Sequence, residues 1–239
     1  GDYWNSYEFV ADIYERDLIT RKTRRITRGA RVHNPDYSGA GDFFAVQNIS
    51  ASNRLVRVSP NGVVRILAEV PGGLFADPRT SPDGSRITVA FHTNGRWGVR
   101  ICSTNGGAIL EVARGAWNDI QPVWISNGST IAFTSDRDGI YNIWTAPARP
   151  GASATRATSD DVGVLDPAPV DGGYLVSTVG AKGFEFRRVT SDASPAYTPP
   201  GFLEKWHVRT NALAPYRRTA TIREGGYAPI KTALPRWWL

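Results

Sequence analysis

The stretch Asp77-Pro78-Arg79-Thr80-Ser81-Pro82-Asp83-Gly84-Ser85-Arg86-Ile87-Thr88-Val89-Ala90-Phe91 decides the fold. A polar residue precedes a proline, a Pro-Asp-Gly turn follows, and an alternating run rich in β-branched residues closes the phrase. Glycine and asparagine tolerate the positive φ that tight hairpin turns demand. Alternation with period two sends successive side chains to opposite faces of a strand. The phrase recurs, with its polar–proline step at Asn34-Pro35, Gln121-Pro122 and Asp166-Pro167, spaced by 43, 44 and 45 residues. After Asn34-Pro35 come Tyr37-Ser38-Gly39-Ala40-Gly41 and Phe43-Phe44-Ala45-Val46. After Gln121-Pro122 come Trp124-Ile125-Ser126-Asn127-Gly128 and Ile131-Ala132-Phe133-Thr134. The fourth copy is worn, reading Asp171-Gly172-Gly173 and then Tyr174-Leu175-Val176-Ser177.

With two further turns after the first, each unit divides into four short antiparallel strands, with the polar–proline segment as strand one. No long stretch shows the 3.6-residue period of a helix. Four-stranded units of about 40–45 residues predict an all-β propeller, each unit one blade around a central channel. One small sheet cannot cover both of its faces, so stacked neighbours must build the core between them. Phe44, Phe91, Phe133 and Trp144 are assigned to that packing.

Two of the units resemble the WD40-like, or PD40, repeat of TolB-like propellers. The likeness is carried by Thr80-Ser81-Pro82-Asp83-Gly84-Ser85-Arg86-Ile87 and by Ile131-Ala132-Phe133-Thr134-Ser135-Asp136-Arg137-Asp138-Gly139 with Tyr141-Asn142-Ile143-Trp144. Ser126-Asn127-Gly128 and Ser38-Gly39-Ala40-Gly41 depart from it, lacking the proline and aspartate of the usual turn. The expected organisation is a half blade at residues 8–28 and blades at about 34–70, 77–113, 121–158 and 166–190. That makes about four complete blades plus a half, within a propeller segment spanning residues 1–193. The resemblance implies a fragment of a six-bladed ring, with upstream blades missing from this chain; a compact ring of five is the alternative.

Residues 194–239 break the pattern. Six prolines interrupt them, and seven Lys and Arg against two Glu give this tail five of the chain's six net positive charges. The body is therefore nearly neutral, which argues against a nucleic-acid binder with a basic folded surface. Seven basic residues within 16–31 read as a solvated outer strand pair. The run Tyr227-Ala228-Pro229-Ile230-Lys231-Thr232-Ala233-Leu234-Pro235-Arg236-Trp237-Trp238-Leu239 resembles the junction from a TolB-like propeller into an outer-membrane β-barrel, and its aromatic–basic mix suits a membrane interface. A linker packed on the propeller rim is the other reading.

Chemistry is sparse. A single cysteine, Cys102, excludes an internal disulfide and reads as a buried, inert thiol. His33, His92 and His207 have no metal-ligand spacing, and neither a nucleophile elbow nor a phosphate loop occurs. Asp136-Arg137-Asp138-Gly139 alternates oxygen ligands but lacks the further carboxylates of a calcium loop, so a hairpin turn is expected. No catalytic residue, cofactor or metal is expected. The recurring polar feature is the set Asn34, Asp77, Gln121 and Asp166, which falls at equivalent heights near one mouth of the channel. There the four could bind a peptide end or a cation, or could cap local turns. The resemblance implies a non-catalytic protein–protein interaction domain of the bacterial envelope, periplasmic or outer-membrane associated, with a protein or peptide partner. The alternative is an accessory, substrate-filtering propeller of a serine peptidase of the prolyl oligopeptidase or tricorn type, whose catalytic domain lies outside this chain. A channel lyase or lactonase would need converging ligands or acid–base pairs that these strands do not supply.

Overall fold

Short alternating segments between turn formers give short strands, and a computed structural model describes them over residues 2–5, 8–39, 41–50, 52–113, 115–181 and 183–191. Strand β1 (Asp2–Asn5) pairs with β2 (Glu8–Val10), and β3 (Tyr14–Arg16) with β4 (Thr23–Arg25). Three four-stranded antiparallel meanders follow. The first is β5 (Val32–Tyr37), β6 (Phe43–Ile49), β7 (Ser52–Val58) and β8 (Val64–Ala68). The second is β9 (Leu74–Thr80), β10 (Arg86–Thr93), β11 (Arg96–Ser103) and β12 (Leu110–Glu111). The third is β13 (Asp119–Ile125), β14 (Thr130–Ser135), β15 (Asn142–Pro147) and β16 (Thr155–Arg156). A last sheet has β17 (Leu165–Val170), β18 (Gly173–Gly180) and β19 (Gly183–Thr190). The sheets are the blades of an all-β propeller, and their first strands β5, β9, β13 and β17 lie side by side in that order.

Three details differ from the sequence reading. Three sheets, rather than four, have all four strands among the described residues. Each blade starts one to three residues before its expected bound, since strand one, read as the segment around the proline, extends to both sides of that step. The half blade expected at residues 8–28 is divided, with Glu8–Val10 pairing β1 and Tyr14–Arg16 pairing β4. The tail at 194–239, its junction motif and His207 lie outside the described residues.

The core is a series of seams. Ile13 and Ile26 pack with Phe43, Ala45, Val56 and Val58 of the first meander. The opposite face of that meander, with Phe44, Val46 and Leu55, meets Phe75, Ile87, Val89 and Phe91 of the second. Val99, Ile101 and Val112 then meet Ile131, Phe133 and Trp144 of the third. Ala132 and Ile143 meet Val164, Tyr174 and Val176 of the last. The four aromatics assigned to packing, Phe44, Phe91, Phe133 and Trp144, are 0–5% exposed. The far face of the last sheet is open, with Phe184 75% and Phe186 83% exposed, whereas the corresponding faces of the preceding meanders are covered.

Polar bridges lock the seams. Asn53 pairs twice with the Phe75 backbone, at 2.9 and 2.7 Å. Arg86 stacks over Trp124 at 4.8 Å and donates to the carbonyls of Gly128 (2.7 Å) and Ala148 (3.0 Å). The turns follow the sequence logic. Gly84 takes φ +70, its N–H donates to the Ser81 carbonyl at 2.8 Å, and Asp83 accepts from both Ser81 and Ser85. Ser126-Asn127-Gly128, which lacks the usual proline and aspartate, closes as a short 3-10 turn with all three residues at positive φ.

Because a seam is shared by two sheets, truncating its centre leaves a cavity that neither can fill. Phe133→Ala is expected to lower the unfolding free energy by about 3–5 kcal/mol, while Phe186→Ala on the open face changes it by no more than about 0.5 kcal/mol. Urea unfolding of the two variants against the parent chain measures the contrast.

Candidate functional site

The polar–proline step forms the same irregularity in each of the four sheets. Between His33 and Asp36 strand β5 advances three residues while β6 advances two, and the same one-residue surplus occurs at 76–79, 120–123 and 165–168. These are β-bulges in the innermost strands. Asn34, Asp77, Gln121 and Asp166 all sit at the bulge with φ between +49 and +53. The proline that follows has no N–H, so the unpaired residue of the bulge leaves no orphan donor. Positive φ is costly for a side chain with a Cβ, and a following proline disfavours α-type geometry further. Each such residue stores about 1–3 kcal/mol that the rest of the blade must offset.

The offset is visible in the side chains. Asn34 Nδ2 donates to Asp77 Oδ1 at 3.1 Å, linking the first two meanders. Gln121 links the next two: its Nε2 donates to Asp166 Oδ1, and its Oε1 accepts from the Asp166 backbone N–H at 3.0 Å. Ser177 Oγ holds the other Asp166 oxygen at 2.7 Å. The four predicted residues are thus brought together as two cross-blade pairs at one level. They do not cap turns; they tie adjacent bulges to each other.

Asp77, Gln121 and Asp166 line one cavity of about 470 Å³, together with Asp36, Arg79 and Trp124. Burial pushes the Asp77 carboxyl above the usual carboxylate range; Arg79 opposes the rise and Asp166 adds to it. Asp36, Arg79 and Trp124 were not singled out from the sequence. Asp36 accepts the Thr80 N–H at 2.7 Å, and the Trp124 indole donates to the Arg79 carbonyl at 2.8 Å, each across a seam. The readable signal is their offset: two or three residues after each polar–proline step, the strand resumes with a side chain at the channel.

Other candidates have local structural uses. Gly139 N–H closes a turn on the Asp136 carbonyl at 2.7 Å, as expected of Asp136-Arg137-Asp138-Gly139. The Asp136 carboxylate accepts from the Asn118 backbone and amide, and one Arg137 nitrogen donates to both Asp119 oxygens at 2.9 and 2.8 Å while the guanidinium lies over the Phe133 and Trp144 rings. Among the described residues no group of three or more His, Cys, Asp or Glu is arranged to hold a metal. His33 Nε2 lies 3.0 Å from Asn48 Oδ1, and His92 packs on Trp97. Cys102 is buried at 5% exposure, and burial raises its thiol to about 11.

A repeated clasp went unread in the sequence. Asp12 accepts from Thr27 Oγ1 (2.6 Å), Arg25 (2.6 Å) and the Gly29 and Ala30 N–H groups, while Ile13 N–H donates to Thr27 Oγ1. Asn142 accepts from Thr158 Oγ1 (2.9 Å) and the Asp160 N–H, while Ile143 N–H donates to Thr158 Oγ1. Asp12-Ile13 with Arg25-Ile26-Thr27, and Asn142-Ile143 with Arg156-Ala157-Thr158, are the shared signal.

No protein-family model matches the chain. Over 109 residues it is 32% identical to a protein named TolB homolog from Chlorobium luteolum, which covers 44% of this chain and 23% of that protein. Among solved structures, TolB from Acinetobacter baumannii superposes with a TM-score of 0.53 at 16% identity, over 76% of this chain and 49% of the other. A puromycin-hydrolyzing peptidase of Mycobacterium tuberculosis gives 0.57 at 17% identity, over 79% of this chain and 34% of the other. At such identities the structural likeness is one of fold, and the sheets are TolB-like propeller blades. The chain spans about a quarter of the curated relative and half of the solved TolB chain.

Two outcomes follow from the electrostatics. A carboxyl raised by burial opposes folding when ionised, so its penalty is absent below the unfolded value near 3.8 and grows as pH rises through the folded value. Asp77→Asn is therefore expected to raise the urea midpoint at pH 7, with a gain that shrinks as pH falls towards about 4 and is gone below it; a pH series of unfolding curves reads this. Native Cys102 is expected to resist iodoacetamide at pH 8 and to label fully in denaturant, as followed by intact mass.

Proposed function

We propose that these TolB-like blades form a non-catalytic interaction domain of the bacterial envelope, periplasmic or outer-membrane associated, that captures a protein or peptide segment at the mouth framed by Asn34, Asp77, Gln121 and Asp166. The observation that carries the reading is their convergence: four bulges hold polar side chains at one level, and three of those side chains line one cavity. Fixed carboxylate and amide groups of this kind suit a peptide end or the polar backbone of a polypeptide, since pre-positioned partners lose little freedom on binding. The name of the Chlorobium luteolum relative supports the envelope placement. The domain is read as part of a six-bladed ring, which the open face of the last sheet supports, because another blade stacked there would bury Phe184 and Phe186.

A second reading draws on the propeller fold shared with the puromycin-hydrolyzing peptidase: the blades would filter substrates for a hydrolase domain carried elsewhere in the same polypeptide. The sequence flanking this segment separates the two, since an α/β-hydrolase favours the second and a barrel of alternating strands the first.

The test is capture from envelope extract by the full chain, with bound proteins identified by mass spectrometry. Gln121→Ala is expected to lose the partner and, because it also removes both hydrogen bonds to Asp166, to lower the melting temperature by a few degrees, so capture is measured well below the transition. A large fall in melting temperature with capture intact would assign the amide to the fold alone.

A further inference from the structure

The cavity at the mouth has a neighbour on the first two meanders. A second cleft, of about 600 Å³, opens between the first two meanders, and it shares Thr80 and Pro82 with the first. Tyr37, Ser38, Asp42 and Arg57 form one bank, and the turn around Asp83 forms the other with Asn105. Two hydroxyls make this a built site. Ser38 is only 5% exposed, lines the cleft, and its Oγ has no hydrogen-bond partner among the described residues. Thr80 Oγ1 is likewise buried and unpartnered, and Thr80 stands where the two cavities meet. Buried hydroxyls without partners are uncommon, and each wants a ligand or a water.

Charge points the same way along both cavities. Asp36, Asp77 and Asp166 stand against Arg79 at the mouth, and Asp42 and Asp83 against Arg57 in the cleft. Both therefore carry an excess of carboxylate in a chain whose formal net charge is +6. Tyr37, 58% exposed and packed at 5.3 Å on Phe43, offers an aromatic surface at the outer end. A compact ligand would fill one cavity. Two adjoining cavities that share Thr80 and Pro82 in their walls suit a chain that presents a donor and an acceptor at every residue.

We infer that the mouth and the cleft between the first two meanders form one continuous track for an extended, positively charged polypeptide segment, whose backbone hydrogen-bonds Thr80 Oγ1 and Ser38 Oγ on its way outward. This rests on the proposed interaction function and names the kind of segment it takes.

The test uses the full chain and a fluorescein-labelled peptide of alternating Lys and Ser, about twelve residues long and roughly 40 Å when extended. Fluorescence anisotropy is expected to show binding that weakens with salt. Ser38→Ala and the isosteric Thr80→Val should each weaken it by roughly threefold or more, without lowering the melting temperature, because each removes an unpaired hydroxyl. A four-residue version should bind at least about tenfold more weakly, since it cannot reach both cavities. If Gln121→Ala weakens binding but Ser38→Ala, Thr80→Val and shortening do not, the track stops at the mouth; the inference falls and the interaction function stands. If the Lys–Ser peptide fails to bind, or a Glu–Ser peptide or maltoheptaose binds as well, the inference is overturned. Should the peptide bind but none of the variants, including Gln121→Ala, change its affinity, both readings fall.

Discussion

A sheet of four strands, each a few residues long, has two faces and no means of hiding either from water. Everything else in this protein depends on that constraint. Each meander gives one face to the blade before it and the other to the blade after it, so the four apolar clusters fall between sheets and none within a single one. Stability is then built from neighbour contacts, as in other repeat architectures. The open face bearing Phe184 and Phe186 shows the same rule by exception, for the apolar residues are present and the covering sheet is not among the described residues.

Stacked blades bring their inner strands side by side, and each of these strands carries a bulge at the same place. A polar residue at positive φ followed by proline bends the first strand and leaves a side chain aimed at its neighbour. The strain is offset pairwise, Asn34 with Asp77 and Gln121 with Asp166, so the device that shapes the ring also lays down its polar level. Structural and binding roles are therefore not alternatives for these residues. The bulge places the group at the mouth, where the interaction proposed above would use it.

The electrostatic character of the mouth follows from the same geometry. Burial raises the Asp77 carboxyl most; Arg79 pulls it back, and the nearby Asp166 raises it by less than Arg79 lowers it. Five of the six net positive charges come from residues 194–239, so the overall charge of the chain is a poor guide to the charge at the channel.

Much of this architecture was legible beforehand. The 43–45-residue period, the alternating strands, the turn chemistry and the four polar–proline residues are local, carried by a few neighbouring positions, and local signals survive without a partner. The bulge itself was not legible, because a positive φ before proline contradicts the ordinary preference and is imposed by ring packing. Nor were Asp36, Arg79 and Thr80, or Arg86 reaching the Ala148 carbonyl 62 residues away. Sequence by itself determined the module and how often it was copied, since strand and turn preferences act within a few residues. Only the tertiary structure decided which side chains meet across seams, because that depends on the angle at which one blade settles on the next.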